Sequence, residues 1–152
     1  MSEIIENQEN TGSAGTTSTS VINLAVESVM DLIDALGLFA LVYRGALGTG
    51  AGICCEVGPT TPDTVWMDKN QYIPIDLTIN GKHSELQTLS DAMYLIHESL
   101  TMRTEYPYGD NWQIVDITTH TEPQVVERND SGDWMMASAL TVKVATITPE
   151  GE

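Results

Sequence analysis

From Ile22 onward, Ile22, Ala25, Val26, Val29, Leu32, Ile33 and Leu36 recur at helical spacing, with Asn23, Glu27, Asp31 and Asp34 on the opposite side. This spacing predicts an amphipathic helix. Ser20 is placed to cap its free N–H groups and Gly37 is a candidate stop. The apolar run 38–42 leaves an extension past Gly37 open. The pattern then changes period. Ile53 to Val57 and Thr64 to Met67 read as two strands of a hairpin around Gly58-Pro59-Thr60-Thr61-Pro62-Asp63. In Tyr72 to Asn80, Ile73, Ile75, Leu77 and Ile79 alternate with Pro74, Asp76 and Thr78. That alternation predicts a one-sided strand. Its proline is of the kind an edge tolerates, and Asn80-Gly81 is a turn signal that would end it.

A second helix follows. Leu86, Leu89, Met93, Ile96 and Leu100 step by three and four, a narrow apolar stripe suited to lying on a sheet. Ser84 and Gln87 have the spacing of a capping box, Glu85 sits in the first turn, and Arg103 lies near the C-terminal end. After the loop Tyr106-Pro107-Tyr108-Gly109-Asp110, Trp112 to Thr119 reads as a strand that Pro123 should break. Gln124 to Arg128 and Trp134 to Ile147 form a hairpin over Asn129-Asp130-Ser131-Gly132. In the last strand Trp134, Met136, Ser138, Leu140, Val142 and Val144 share one face, and Met135, Ala137, Ala139, Thr141 and Lys143 the other. Both faces are partly apolar at its start, which fits either a subunit contact or a buried central strand.

The reading is therefore an acidic α+β domain with two helices and several strands. Residues 21–147 form a single domain, 1–20 an acidic then Ser/Thr/Gly-rich extension, and 148–152 a C-terminal tail. Residues 1–20 cannot bury enough apolar area by themselves to offset the entropy of ordering. The 152 residues suffice for one core without metal or disulfide staples.

Charge narrows the function. Asp plus Glu number 22 against 6 Lys plus Arg, a net charge of −16. Such a surface repels phosphate backbones and anionic lipid, which excludes ordinary DNA binding. The alternatives are a merely soluble acidic protein and an acidic wall that DNA slides past. No apolar run reaches the ~20 residues of a membrane helix, and the acidic, polar N-terminus is unlike a secretory leader. Cys54 and Cys55 are adjacent, so on a strand they point to opposite faces and cannot bridge each other. They read as two reduced thiols of a cytosolic protein.

Candidate chemistry is sparse. The segment Gly45 to Gly52 lacks the Gly-Lys-Ser/Thr of a phosphate loop and follows a helix rather than a strand, so it reads as a pliable connection. His83, His97 and His120 show no metal-ligand spacing and read as solvated or satisfied side chains. Asp63, Asp68 and Asp76 are the nearest approach to a carboxylate cluster, and chance proximity explains them in so acidic a chain. Ser138 lacks a nucleophile-elbow context. No cofactor, metal or catalytic residue is assigned. The aromatics Trp66, Tyr72, Tyr106, Tyr108, Trp112 and Trp134 fall at strand starts and in loops. With Met135 they are core anchors or, alternatively, anchors of a subunit or tube interface.

From about Ser20 to Thr146, the order of helix, hairpin, strand I-P-I-D-L-T-I-N-G-K, helix, Y-P, N-W-Q-I and long last strand resembles the minor capsid and tail-terminator family of tailed bacteriophages. Asp76-Leu77, Tyr106-Pro107, Trp112 and Pro123 carry most of the resemblance. It implies a two-layer α+β subunit, a mainly antiparallel sheet with both helices packed on one face, and a homo-oligomeric six-fold ring at the head-proximal end of the virion tail, assembled in the host cytoplasm. The ring caps the tail tube protein, stops polymerisation and meets the head-tail connector or stopper. DNA would cross the lumen without specific binding, with Asp63, Asp68 and Asp110 as candidate lumen carboxylates. Residues 1–20 lie outside the pattern and are a candidate clasp for a neighbour or the tail sheath. Competing readings are a connector or stopper of the neck, a small metal-dependent enzyme built on Asp63, Asp68 and Asp76, and a monomeric acidic module that grips a peptide.

Overall fold

The structure, a computed structural model, describes residues 14–58 and 71–146. Its elements are α1 (Ala14–Asp34), β1 (Val42–Arg44), β2 (Gly52–Val57), β3 (Gln71–His83), α2 (Leu86–Thr101), β4 (Trp112–Arg128) and β5 (Trp134–Thr146). The strands form one sheet in the order β1-β2-β3-β5-β4. The β1–β2 pair is parallel and the other pairs are antiparallel. Both helices lie on one face, giving the two-layer α+β arrangement that the resemblance implies.

Helix α1 begins at Ala14, earlier than Ser20, and buries Val21, Ala25, Val26, Val29 and Ile33. It stops where Gly37 adopts φ 71°, and the Leu36 and Gly37 N–H groups donate to Ile33 and Asp34 carbonyls in a tightened last turn. Asp34 then redirects the chain: its Oδ1 accepts from the Val42 N–H at 2.8 Å. The apolar run 38–42 is thus no helical extension but the approach to β1. The connection 45–51 returns the chain so that β2 can run parallel to β1. It is shorter than an ordinary crossover. Gly45 (φ 121°) and Gly50 (φ 81°) supply backbone angles that other residues rarely adopt.

Strand β3 corrects two expectations. It is interior, paired with β2 and β5, and it runs through Asn80-Gly81 to His83. Asp76 directs its carbonyl to the Gly58 N–H. Backbone groups two residues apart in a strand face the same way, so the missing N–H of Pro74 points past the last described β2 pair, Val57↔Leu77, and no bond of the described ladder is lost. Gly81 is present for packing rather than turning. A Cβ there would lie 2.7 Å from Leu89 Cδ1 and 3.1 Å from Met93 Sδ, so α2 sits directly on its backbone. The antiparallel partner of β2 is β3, and the predicted strand Thr64 to Met67 lies outside the described residues.

Helix α2 buries Leu89, Ala92, Met93, Ile96, His97 and Leu100 against β3, β4 and β5. The Ser84–Gln87 capping box does not form. Glu85 is the N-cap residue, without a side-chain cap bond, and its N–H donates to His83 Nδ1 at 2.9 Å.

Strand β4 is continuous through Pro123, contrary to the predicted break. It is an edge strand with register shifts between Ile114/Asp116, Thr119/Thr121, Thr121/Gln124 and Val125/Glu127. Edges and bulges are where a strand accommodates a residue that cannot donate. The β4–β5 hairpin closes as predicted, with Gly132 at φ 91° and the Asp133 N–H bonded to Asn129 Oδ1. Strand β5 is central, between β3 and β4. Its even-numbered residues from Met136 to Val144 are buried, joining Ile73, Ile75, Leu77 and Ile79 in the core. Each fully buried aliphatic side chain of this kind contributes about 1.5–3 kcal/mol.

Candidate assembly surface

The sheet has one covered face and one open face. The strand registers align Glu56, Thr78, Ala139 and Thr121 in one row across the open side and Asn80, Ala137 and Gln124 in another. Asp76, Thr141 and Thr118 form a third. Among the described residues, neither helix packs on this side. Its centre is small and uncharged in a chain of net charge −16. Two cations on it are engaged: Lys82 Nζ donates to the Gly48 carbonyl, and Lys143 Nζ lies 5.1 Å from the Tyr72 ring centroid. The first contact folds the glycine-rich connection back toward the sheet, where Gly48 N–H also donates to the Tyr43 hydroxyl at 3.1 Å.

The candidate aromatics divide between the two ends of the sheet. Tyr72, Tyr106, Tyr108 and Trp112 gather at the end where β3 and β4 begin and β5 finishes. Here the loop 106–110 lies along β4: the Ile114 N–H donates to the Pro107 carbonyl at 3.0 Å, and the Gly109 N–H to the Trp112 carbonyl at 2.8 Å. The Trp112 indole lies against Gly109 so closely that a Cβ there would fall 2.1 Å from Nε1. Trp112 is 7% exposed and belongs to the core. Half-buried Tyr106 donates its hydroxyl to the Leu100 carbonyl at 2.9 Å, and burial raises its pKa. Tyr108, by contrast, is 76% exposed. Together with Glu105, Tyr106, Gln113 and Val115 it borders an open groove of about 630 Å³. Asp110, in the same loop, is exposed.

Trp134 and Met135 occupy the opposite end. Trp134 is half-buried, with the Arg128 guanidinium 4.9 Å from its ring centroid. Met135, Leu47, Asn80 and Val126 border a cleft of about 310 Å³ under the glycine-rich connection. Trp66, Asp63 and Asp68 lie outside the described residues. The uncharged centre of the open face across β3 and β4, and the exposed Val125 and Val126, were missed in the sequence. The alternation of Ala137, Ala139 and Thr141 with buried residues was the available signal.

Ser138 is buried and its hydroxyl donates to the Ile79 carbonyl. Cys55 lies in the core and Cys54 on the other side of β2, both buried and unbridged. Burial raises both thiols, Cys55 to about 11, despite the opposing pull of Arg44 on Cys55 and of an Asn80 bond on Cys54. A thiol so raised stays protonated near neutrality and is a poor nucleophile. Asp76 is exposed on the open face. Among the described residues, no three His, Cys, Asp or Glu side chains are grouped to hold a metal ion.

No family model and no curated protein matches the chain. Among solved structures it is similar to a chain in the virion of a native gene transfer agent particle. The identity is 12% and the TM-score 0.54, with 84% of this chain and 96% of that one covered. At such an identity the likeness defines a shared two-layer α+β fold.

Proposed function

We propose that this chain is a structural virion protein that acts by assembly: a tail terminator whose copies form a ring on the head-proximal end of the tail. The ring caps the tail tube, stops its growth and joins the tail to the head connector. The single supporting observation is the shared fold with a chain of a gene transfer agent virion, aligned over nearly all of that chain. The open sheet face and the groove beside Tyr108 offer two distinct surfaces on one copy, as a heterologous contact that closes into a ring requires. In this reading Tyr108 and Met135 are contact residues at opposite ends of the sheet, and Asp110 contributes to an acidic lumen that DNA crosses without adhering. The work is done by shape and charge, with no bond chemistry.

Copies of net charge −16 repel one another, so assembly should strengthen as salt screens them, the Debye length being about 8 Å at physiological ionic strength. The test is tail-tube assembly with and without the protein, read by electron microscopy. The expected result is rings on tube ends and tubes of uncontrolled length when the protein is missing. Normal tube length without it sinks the proposal. A virion map in which it touches the connector but not the tube would instead identify a neck stopper.

A further inference from the structure

His97 is a buried polar side chain that the assembly reading leaves unused. It lies on α2 and is 4% exposed. Its Nδ1 is 2.9 Å from Thr119 Oγ1 on β4, and its Nε2 has no partner among the described residues. One turn earlier on α2, Tyr94 donates its hydroxyl to the Pro123 carbonyl at 3.3 Å. These two bonds meet β4 where it is least regular: the register against β5 shifts between Thr119 and Thr121, between Thr121 and Gln124, and between Val125 and Glu127. A strand segment with a broken ladder must draw its order from elsewhere, and here it draws on α2.

We infer that His97 is a pH-sensitive fastening that holds the bulged half of the edge strand β4 to α2 while its imidazole is neutral. Neutral imidazole can share one proton with Thr119 in either direction. Protonation would place a full charge and a second N–H donor in the same buried seam, where Nε2 has nothing to donate to. Burial pushes the His97 pKa below its usual value, and the Glu122 carboxylate opposes this more weakly. Glu122 is the charged group that acts on the imidazole. Among the other charged groups on α2 and the elements packed against it, Glu98 and Asp91 on α2, Asp116 and His120 on β4, Glu27 and Asp31 on α1, and Lys143 on β5 are exposed, while Lys82 of β3 is bonded to Gly48.

The sign follows from the lowered pKa. The opened segment takes up the proton first, so the fastening is complete above the unfolded histidine value near 6.5 and is lost as pH falls through the lower folded value.

Hydrogen exchange of the full chain from pH 7.5 to 5.5, corrected for intrinsic rates, tests this. Opening of residues 119–127 should rise up to about tenfold per pH unit below 6.5, and more than that of Ile73 to Ile79. In His97→Gln the rise should vanish. A flat wild-type profile, or the same rise in the variant, overturns the inference. Should the variant fail to fold, NMR titration of His97 in the wild type decides: a midpoint below 6.5 supports it, and one at or above 6.5 overturns it.

Discussion

The two faces of the sheet share the same strands yet obey different rules. On the covered face, Ile73, Ile75, Leu77, Ile79, Leu140, Val142 and Val144 are buried under two helices, and each side chain is fixed by its neighbours. At the centre of the open face the alternate residues of the same strands include Thr78, Ala137, Ala139 and Thr141, which are half-buried and uncharged. The covered face specifies the fold, and the open face can vary without disturbing it. A protein that works by fitting against others needs this division, because its contact surface must change independently of its core.

The sharpest test pairs neighbours in β3. Leu77→Ala on the covered face should cost about 2–5 kcal/mol in chemical denaturation. Thr78→Ala, one residue along on the open face, should cost less than about 1 kcal/mol. Equal losses would mean that something covers the open face in the isolated chain. Gly81→Ala probes the helix contact from below. Its Cβ would crowd Leu89 and Met93, and an overpacking cost of about 1–3 kcal/mol is expected in thermal or denaturant unfolding. Asp34→Ala removes the acceptor of the Val42 N–H and should cost about 1 kcal/mol by the same measurement. Tyr108→Ala should have the smallest effect on folding, within about 0.5 kcal/mol, because its side chain stands in solvent. If the assembly proposal holds, that variant should still lose its grip on tube ends in a co-sedimentation assay. Unchanged tube binding would remove Tyr108 from the interface.

The covered face was largely legible in the sequence because burial imposes a period. The stripe of Leu89, Met93, Ile96 and Leu100 marked α2, and the alternation in β3 and β5 marked which side of each strand is inside. Punctuation residues misled wherever tertiary structure gave them another role. Asn80-Gly81 has the composition of a turn, yet its glycine makes room for α2. Pro123 looked like a strand end, but an edge strand with bulges passes through it. β1 was hidden because Leu38 to Val42 is apolar in every period, and its three strand residues follow from the Asp34–Val42 bond. The candidate surface was less legible still. The list of aromatics carried no information on which end of the sheet each would reach, or that Trp112 would sink into the core.

The position of β5 has a consequence for biosynthesis. This interior strand is made after both of its neighbours, β3 and β4. During translation those two strands emerge with a gap between them that only Trp134 to Thr146 can fill, so the nascent chain cannot complete its core on the ribosome until this last strand has left the exit tunnel.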